Sequence, residues 1–304
     1  MALKIIKSND PIKIEQLVVV VYGSPGLGKS TLGFTADSPI LLDFDKGAYR
    51  AAVRGDSVPV ESWTDVTGIT AEDLNGYNTV VVDTAGRALD FLTADIIRRN
   101  AKLGRGGALT LQGYGALKSE FTAWLKMVKL LGKDVVLIAH SSEEKNGDDL
   151  LERLDVQGGS KGEIYKSADA MGRLTLVNGK RVLNFSPTDA AFGKNPGNLN
   201  PLSVPDIGTD QNFLAGVIQT IKDRLNSLTE EQAERQKVIN EYLARIKKAD
   251  TVDNLNLLVG EVVDLDGGVK KIVGGALHKT AEAKGYSFDS KKKLYVAKEA
   301  EAAA

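Results

Sequence analysis

The sequence predicts an α/β fold on a mostly parallel sheet. Three observations carry this: short apolar runs without polar alternation, helix-spaced stretches between them, and a Gly-rich turn directly after the first run. Leu17 to Tyr22 is apolar and largely β-branched and leads into Gly23-Ser24-Pro25-Gly26-Leu27-Gly28, so it reads as a buried strand feeding a loop and then a helix. Ile40 to Phe44, Thr79 to Val82 and Val135 to Ala139 repeat that texture, as expected of strands covered on both faces. Between them Arg87 to Arg99 and Ala116 to Leu131 read as helices; Phe121, Leu125, Val128 and Leu131 fall near one helical face.

From Arg173 the texture changes. Two β-rich runs flank Asn178-Gly179, a strong hairpin signal, so the sheet is expected to end in antiparallel strands. A Pro-, Gly- and Asn-rich loop from Ser186 to Asp210 precedes a helix from Asn212 to Leu225, which closes a core of residues 1–225. Residues 226–304 read as a small helical module. Thr229 with Gln232 resembles a capping box that starts a helix carrying Val238, Ile239, Tyr242, Leu243 and Ile246 on one face. Two further helices are expected over Val252 to Val263 and Val269 to Ala283. The Ala/Glu-rich end is expected to fray.

Composition narrows the chemistry. The 304 residues carry 39 Lys and Arg against 40 Asp and Glu, a net charge of −1, so a basic site must be local. There is no Cys, which excludes disulfides and thiolate metal sites, and His140 and His278 alone are poor material for a zinc site. No apolar run approaches a membrane span and the start is polar too early for a signal peptide, so the expectation is a cytoplasmic protein without a membrane partner.

Gly23-Ser24-Pro25-Gly26-Leu27-Gly28-Lys29-Ser30, followed by Thr31, matches the P-loop pattern in the strand-to-helix context it requires. Its backbone N–H groups suit phosphate oxygens, Lys29 the β- and γ-phosphates, and the Ser30 hydroxyl Mg²⁺, so ATP with Mg²⁺ is the expected ligand. Asp83, closing the Thr79 to Val82 strand, is the candidate second metal group. Asp43 and Asp45 close another strand, and alternation sends both to one face. Asp45 is the candidate base for the attacking water, with Asp43 in reserve. His140, ending a further strand, is a candidate γ-phosphate sensor, and His278 reads as a surface residue.

GSPGLGKST, LLDFD, TVVVDT and VVLIAHSSEE, in this order and spacing, resemble the RecA-like ATPases of bacteriophages, especially the minimal RecA-core single-strand annealing proteins. The likeness covers about Lys13 to Pro196. It implies a RecA-type P-loop core, an oligomeric ring or filament, and slow ATP hydrolysis stimulated by single-stranded DNA during phage recombination or strand annealing. It maps the family's catalytic acid onto Asp45, where Asp replaces a longer Glu, and its polar sensor onto His140. It also implies a basic residue reaching a neighbour's nucleotide; Lys180 and Arg181 at the predicted hairpin are the candidates, with Arg173 in reserve. A disordered DNA-contacting loop would run from Ser141 to Ala168 and include Lys161 and Lys166.

The stretch Arg98 to Gly107 is more basic and Gly-rich, and Arg98, Arg99, Lys102 and Arg105 make it the better candidate for a mobile strand-binding loop; a plain solvated loop is the alternative. In the tail, Tyr286, Phe288 and Tyr295 among Lys284, Lys291, Lys292, Lys293 and Lys298 suit either base stacking or a packed edge. A single-strand-binding protein is a further candidate partner. The competing expectation is a nucleotide-gated assembly or loading factor in DNA replication or repair.

Overall fold

The apolar runs of the sequence form the centre of one large sheet. The structure, a computed structural model, describes residues 3, 5–147, 149–156 and 160–297. The chain divides into two compact units, Ile14–Leu225, and Met1–Lys13 together with Asn226–Ala304.

The first unit contains β1 (Val18–Gly23), β2 (Pro39–Asp43), β3 (Ser57–Pro59), β4 (Thr79–Asp83), a small hairpin of β5 (Gly104–Arg105) and β6 (Ala108–Leu109), β7 (Asp134–Asn146), β8 (Asp149–Leu154), β9 (Ala170–Val177), β10 (Lys180–Asn184) and β11 (Leu202–Ser203). Among the described residues the main sheet runs β11-β10-β9-β1-β7-β4-β2-β3, with β8 paired to the far end of β7. Neighbours from β9 to β3 are parallel, and β10, β11 and β8 add antiparallel edges. This is the predicted mostly parallel sheet with terminal antiparallel strands. β1 and β4 are buried along their whole length, because helices cover both faces. Its helices are α1 (Lys29–Gly33), α2 (Thr64–Thr67), α3 (Ala85–Arg99), α4 (Leu111–Leu130) and α5 (Ser160–Ser167).

Two carboxylates fix the start of β1. Asp134 accepts the Leu17 N–H at 2.8 Å and Asp169 the Val18 N–H at 2.7 Å, each beside a lysine, Lys222 and Lys129. The chain therefore enters the centre of the sheet in one register. Asn178 (φ 50°) and Gly179 (φ 76°) make the predicted two-residue turn between β9 and β10.

Three expectations are corrected, and the tail takes a form the sequence left open. The segment after His140 is an ordered arm through much of its length: β7 continues to Asn146 and pairs back with β8, then α5 follows, with residues 157–159 outside the described residues. Arg98 and Arg99 belong to the last turn of α3, and Arg105 to the β5–β6 hairpin, so the Arg98 to Gly107 stretch is folded. No helix starts at Thr229: α6 (Phe213–Lys248) runs through it, and the Thr229 hydroxyl donates to Asn226 O and Ile12 O instead of capping. Nothing between Leu225 and Thr229 is a Gly or Pro, so nothing interrupts the helix. Finally, the tail is a hairpin of β12 (Tyr286–Asp289) and β13 (Leu294–Ala297), which follows α7 (Val252–Val262) and α8 (Gly267–Ala283); Lys298 lies outside the described residues.

No helix among the described residues is long and apolar enough to cross a membrane.

Candidate functional site

The turn after β1 carries the site. Gly26 and Gly28 have φ of 80° and 78°, in the left-handed region where a side chain would be strained. A Cβ on Gly23 would stand 2.3 Å from Leu174 O of β9, so only glycine lets the loop leave β1 here. The chain then enters α1, which has five residues. Its third and fourth residues, Thr31 and Leu32, are buried.

Lys29 is 5% exposed and its Nζ donates to the carbonyls of Gly23 and Ser24 at 2.8 Å each. Burial lowers its pKa to about 8, against an opposing pull from Asp83. The Ser30 hydroxyl donates to Asp83 Oδ2 at 2.5 Å. Burial raises the Asp83 pKa, and the nearby charges of Asp43 and Asp45 add to the shift while Ser30 and Lys29 oppose it. The peptide from Asp83 to Thr84 is cis, and Thr84 caps α3 by accepting the Arg87 N–H.

Asp43 and Asp45 do not share a role. β2 ends at Asp43, whose two oxygens accept the Gly47 and Ala48 N–H groups at 2.9 Å each; it is 6% exposed and shapes the following turn. Phe44 packs on Phe91 and Trp63. Asp45 follows in the cleft, its N–H bonded to Asp83 O. Its carboxylate meets Arg87 Nε at 3.2 Å and Arg50 Nη2 at 3.4 Å. Both arginines escaped the sequence reading. Arg87 could have been found from its place three residues after Thr84, the helix cap that follows the strand-ending Asp83; Arg50 had no local signal.

His140 ends the sheet segment of β7, level with Gly23 of β1. Its Nδ1 is buried without a hydrogen-bond partner among the described residues. Burial first, and then the Lys29 charge, lower its pKa, so it is held neutral.

Lys29, Ser30, Thr31, Asp45, Arg50, Asp83 and His140, with Pro25, Gly26 and Gly28, line one cleft of about 310 Å³. A second polar cleft of about 450 Å³ shares Asp45 and His140 and reaches Arg87 and Asp155. Ser24 and Leu27 complete the loop without lining the cleft.

The fit to a nucleotide is direct. Among the described residues the buried Lys29 ammonium is bonded only to the Gly23 and Ser24 carbonyls, and His140 lines the same cleft. Among the described residues no three His, Cys, Asp or Glu groups converge to hold a metal. A divalent cation here would depend on Ser30, Asp83 and phosphate oxygens together, the pattern suited to Mg²⁺.

The remaining candidates lie elsewhere. Arg181, expected as a finger toward a neighbouring subunit, lies within this chain against the phosphate loop: a Cβ on Gly28 would be 3.0 Å from Arg181 Nη1. Its Nη2 donates to Pro205 O at 2.8 Å. Lys180 is exposed at the start of β10, and Arg173 pairs with Glu152 at 3.0 Å. Arg98 and Arg99 are engaged by Asp95 at 2.6 and 2.7 Å, and Arg99 also by Glu120. Lys102 and Arg105 are exposed. Lys166 pairs with Glu163 at 3.1 Å, and the Lys161 side chain lies outside the described residues.

Residues 15–196, more than half of the chain, match the family described as an AAA domain, AAA_24. The SPbeta prophage-derived uncharacterized protein YorG of Bacillus subtilis (strain 168) is 27% identical over 145 residues, 44% of this chain and 44% of that protein. The chain thus spans less than half the length of that relative.

Proposed function

The chain belongs to the AAA domain family, and from that premise we propose that it is a Mg²⁺-dependent ATPase whose phosphate site is the loop from Gly23 to Thr31. The observation that carries the reading is the junction of Lys29, Ser30 and Asp83 inside one glycine-shaped cleft. Lys29 places a desolvated positive charge on the β- and γ-phosphates, where it is worth more than in water. Ser30 and Asp83 would hold Mg²⁺, which would supply positive charge to the phosphate oxygens.

Asp45 orients the attacking water and takes its proton. Arg87 and Arg50 hold its carboxylate in place beside the cleft. Asp43 has both oxygens committed to backbone N–H groups and is not available for that role. His140, which lines the cleft at the end of the sheet segment of β7, is suited to sense the γ-phosphate and pass its state along β7 into the β7–β8 arm.

The biological setting we infer is phage DNA recombination or strand annealing by an oligomer on single-stranded DNA. A prophage-derived relative and the exposed Lys102 and Arg105 at a Gly-rich hairpin support it. The second reading, a nucleotide-gated assembly or loading factor, is favoured by the ion pairs that occupy Arg98 and Arg99. Steady-state ATP hydrolysis with and without single-stranded DNA, at low and moderate salt, separates them. Stimulation supports the recombination reading; turnover without stimulation or DNA binding supports the assembly factor.

A further inference from the structure

The C-terminal unit has its own architecture and its own charge pattern. The end of α6, then α7 and α8, share a core of Ile239, Ile246, Leu255, Leu258, Val273 and Leu277. Four residues, Val263 to Asp266, join α7 to α8, the connection length of a helix-turn-helix. On α8 the buried stripe is Val269, Val273, Leu277 and Ala281, which leaves Gly268, Lys271, Gly275, His278 and Lys279 exposed on the other side.

The β12–β13 hairpin is fixed beside α8. Tyr295 exchanges hydrogen bonds with Asn256 of α7 at 2.6 and 3.0 Å, and its ring stacks on His278 of α8 with centroids 6.2 Å apart. β12 therefore runs back along α8. Its tip is shaped by Asp289, which accepts the Lys291 and Lys292 N–H groups.

Between Gly267 and Ala297 there are seven lysines and two acidic residues, in a chain of net charge −1. Lys270 and Lys284 are used internally, donating to Val263 O and Ala249 O. The side-chain amines of Lys271, Lys279, Lys291 and Lys293 form no ion pair among the described residues, and Lys292 has only the Asp289 carboxylate in its neighbourhood. A Cβ on Gly275 would meet nothing within 4 Å, so the packing of the chain does not demand a glycine there, although glycine weakens a helix. A closely approaching external surface does explain it.

We propose that this unit binds double-stranded DNA, with the exposed face of α8 in the major groove and the Lys291 to Lys293 tip on flanking phosphates. A duplex fits better than a single strand. Single strands are held by aromatic stacking, and of the three hairpin rings Tyr295 is buried, Tyr286 is half-buried and only Phe288 is exposed. The proposal does not rest on the ATPase reading.

The test uses the full chain without nucleotide and follows fluorescence anisotropy of a labelled duplex of about 25 base pairs, enough for a single helix-turn-helix site and its flanks, and of one of its strands. Wild type binds the duplex more tightly than the strand, with affinity falling steeply between about 50 and 200 mM salt. Replacing Lys291, Lys292 and Lys293 together by Ala lowers duplex affinity about tenfold and reduces the salt slope by about 0.9 for each phosphate no longer neutralised. Gly275→Gln also weakens duplex binding while leaving nucleotide binding unchanged and the melting temperature at or above that of wild type. Equal affinity for strand and duplex, no duplex binding at low salt, or wild-type binding by both variants would overturn the proposal.

Discussion

Ser30 Oγ donates to Asp83 Oδ2 at 2.5 Å, tying the first turn of α1 to the end of β4 across the intervening strand β7. Each group thereby waits in the position a shared cation requires. The arrangement also buries a carboxylate among Asp43 and Asp45, and its raised pKa has a consequence for stability. A carboxyl whose folded pKa exceeds the unfolded value binds more protons when folded, so its contribution falls as pH rises from the ordinary carboxylate range through the raised pKa. Asp83→Asn keeps a hydrogen-bond acceptor and removes the charge. Without Mg²⁺ at neutral pH it is expected to melt at or above the wild-type temperature, yet to lose the Mg²⁺ dependence of nucleotide binding. Thermal melting and nucleotide titration with and without Mg²⁺ check both halves.

Lys29 gives the opposite kind of pH signature. Its pKa of about 8 lies below the ordinary lysine value of 10.5, so between those two values the unfolded chain binds more protons than the folded one. Stability of the nucleotide-free protein is expected to rise with pH across that window. Nucleotide binding needs the charged amine, so affinity should fall as pH climbs above about 8. Lys29→Ala should abolish this pH dependence and weaken binding by about 10- to 100-fold, the scale of charge-assisted bonds of about 1.5–3 kcal/mol. Titrations at several pH values read it directly.

Asp43 and Asp45 should separate cleanly by substitution. Asp43→Asn turns an NH₂ toward one of two backbone donors, leaving a buried N–H unsatisfied, and should destabilise the protein by about 1–3 kcal/mol. Asp45→Asn should change stability by no more than about 0.5 kcal/mol, since its ion pairs are partly exposed, while nucleotide binding survives and turnover is lost. Denaturant melts beside phosphate release distinguish the two.

Arg181 predicts a mixing result. Lying against its own Gly28, it is expected to serve the nucleotide of its own chain. Arg181→Ala should weaken nucleotide binding, and adding Lys29→Ala protein should restore nothing, because each chain then lacks part of its own site. Recovery of activity on mixing would return Arg181 to the role of a finger toward a neighbour.

Legibility followed distance along the chain. Gly23 to Ser30 declared itself because every group that matters is local, and β4 with Asp83 was plain from Thr79 and three valines closed by a carboxylate. Arg181 reaches Gly28 only because β9 pairs with β1 and β10 turns back beside it, a proximity no spacing reveals. The alternation of Asp43 and Asp45 misled because β2 stops at Asp43 and the chain turns. The β7–β8 arm carried a local signal of its own. Gly147 follows Asn146 there, but Asn146 still pairs with Asp149, so the dipeptide sits one residue off the β9–β10 pattern, and its charged flanks make a strand pair harder to see.

The most direct test of the central claim is phosphate release from ATP and Mg²⁺ by wild-type protein and by the Lys29→Ala variant, purified identically. Slow turnover by wild type that is absent in the variant is the predicted result. Equal release by both, or none from a wild type that demonstrably binds ATP, would contradict an ATPase centred on this loop.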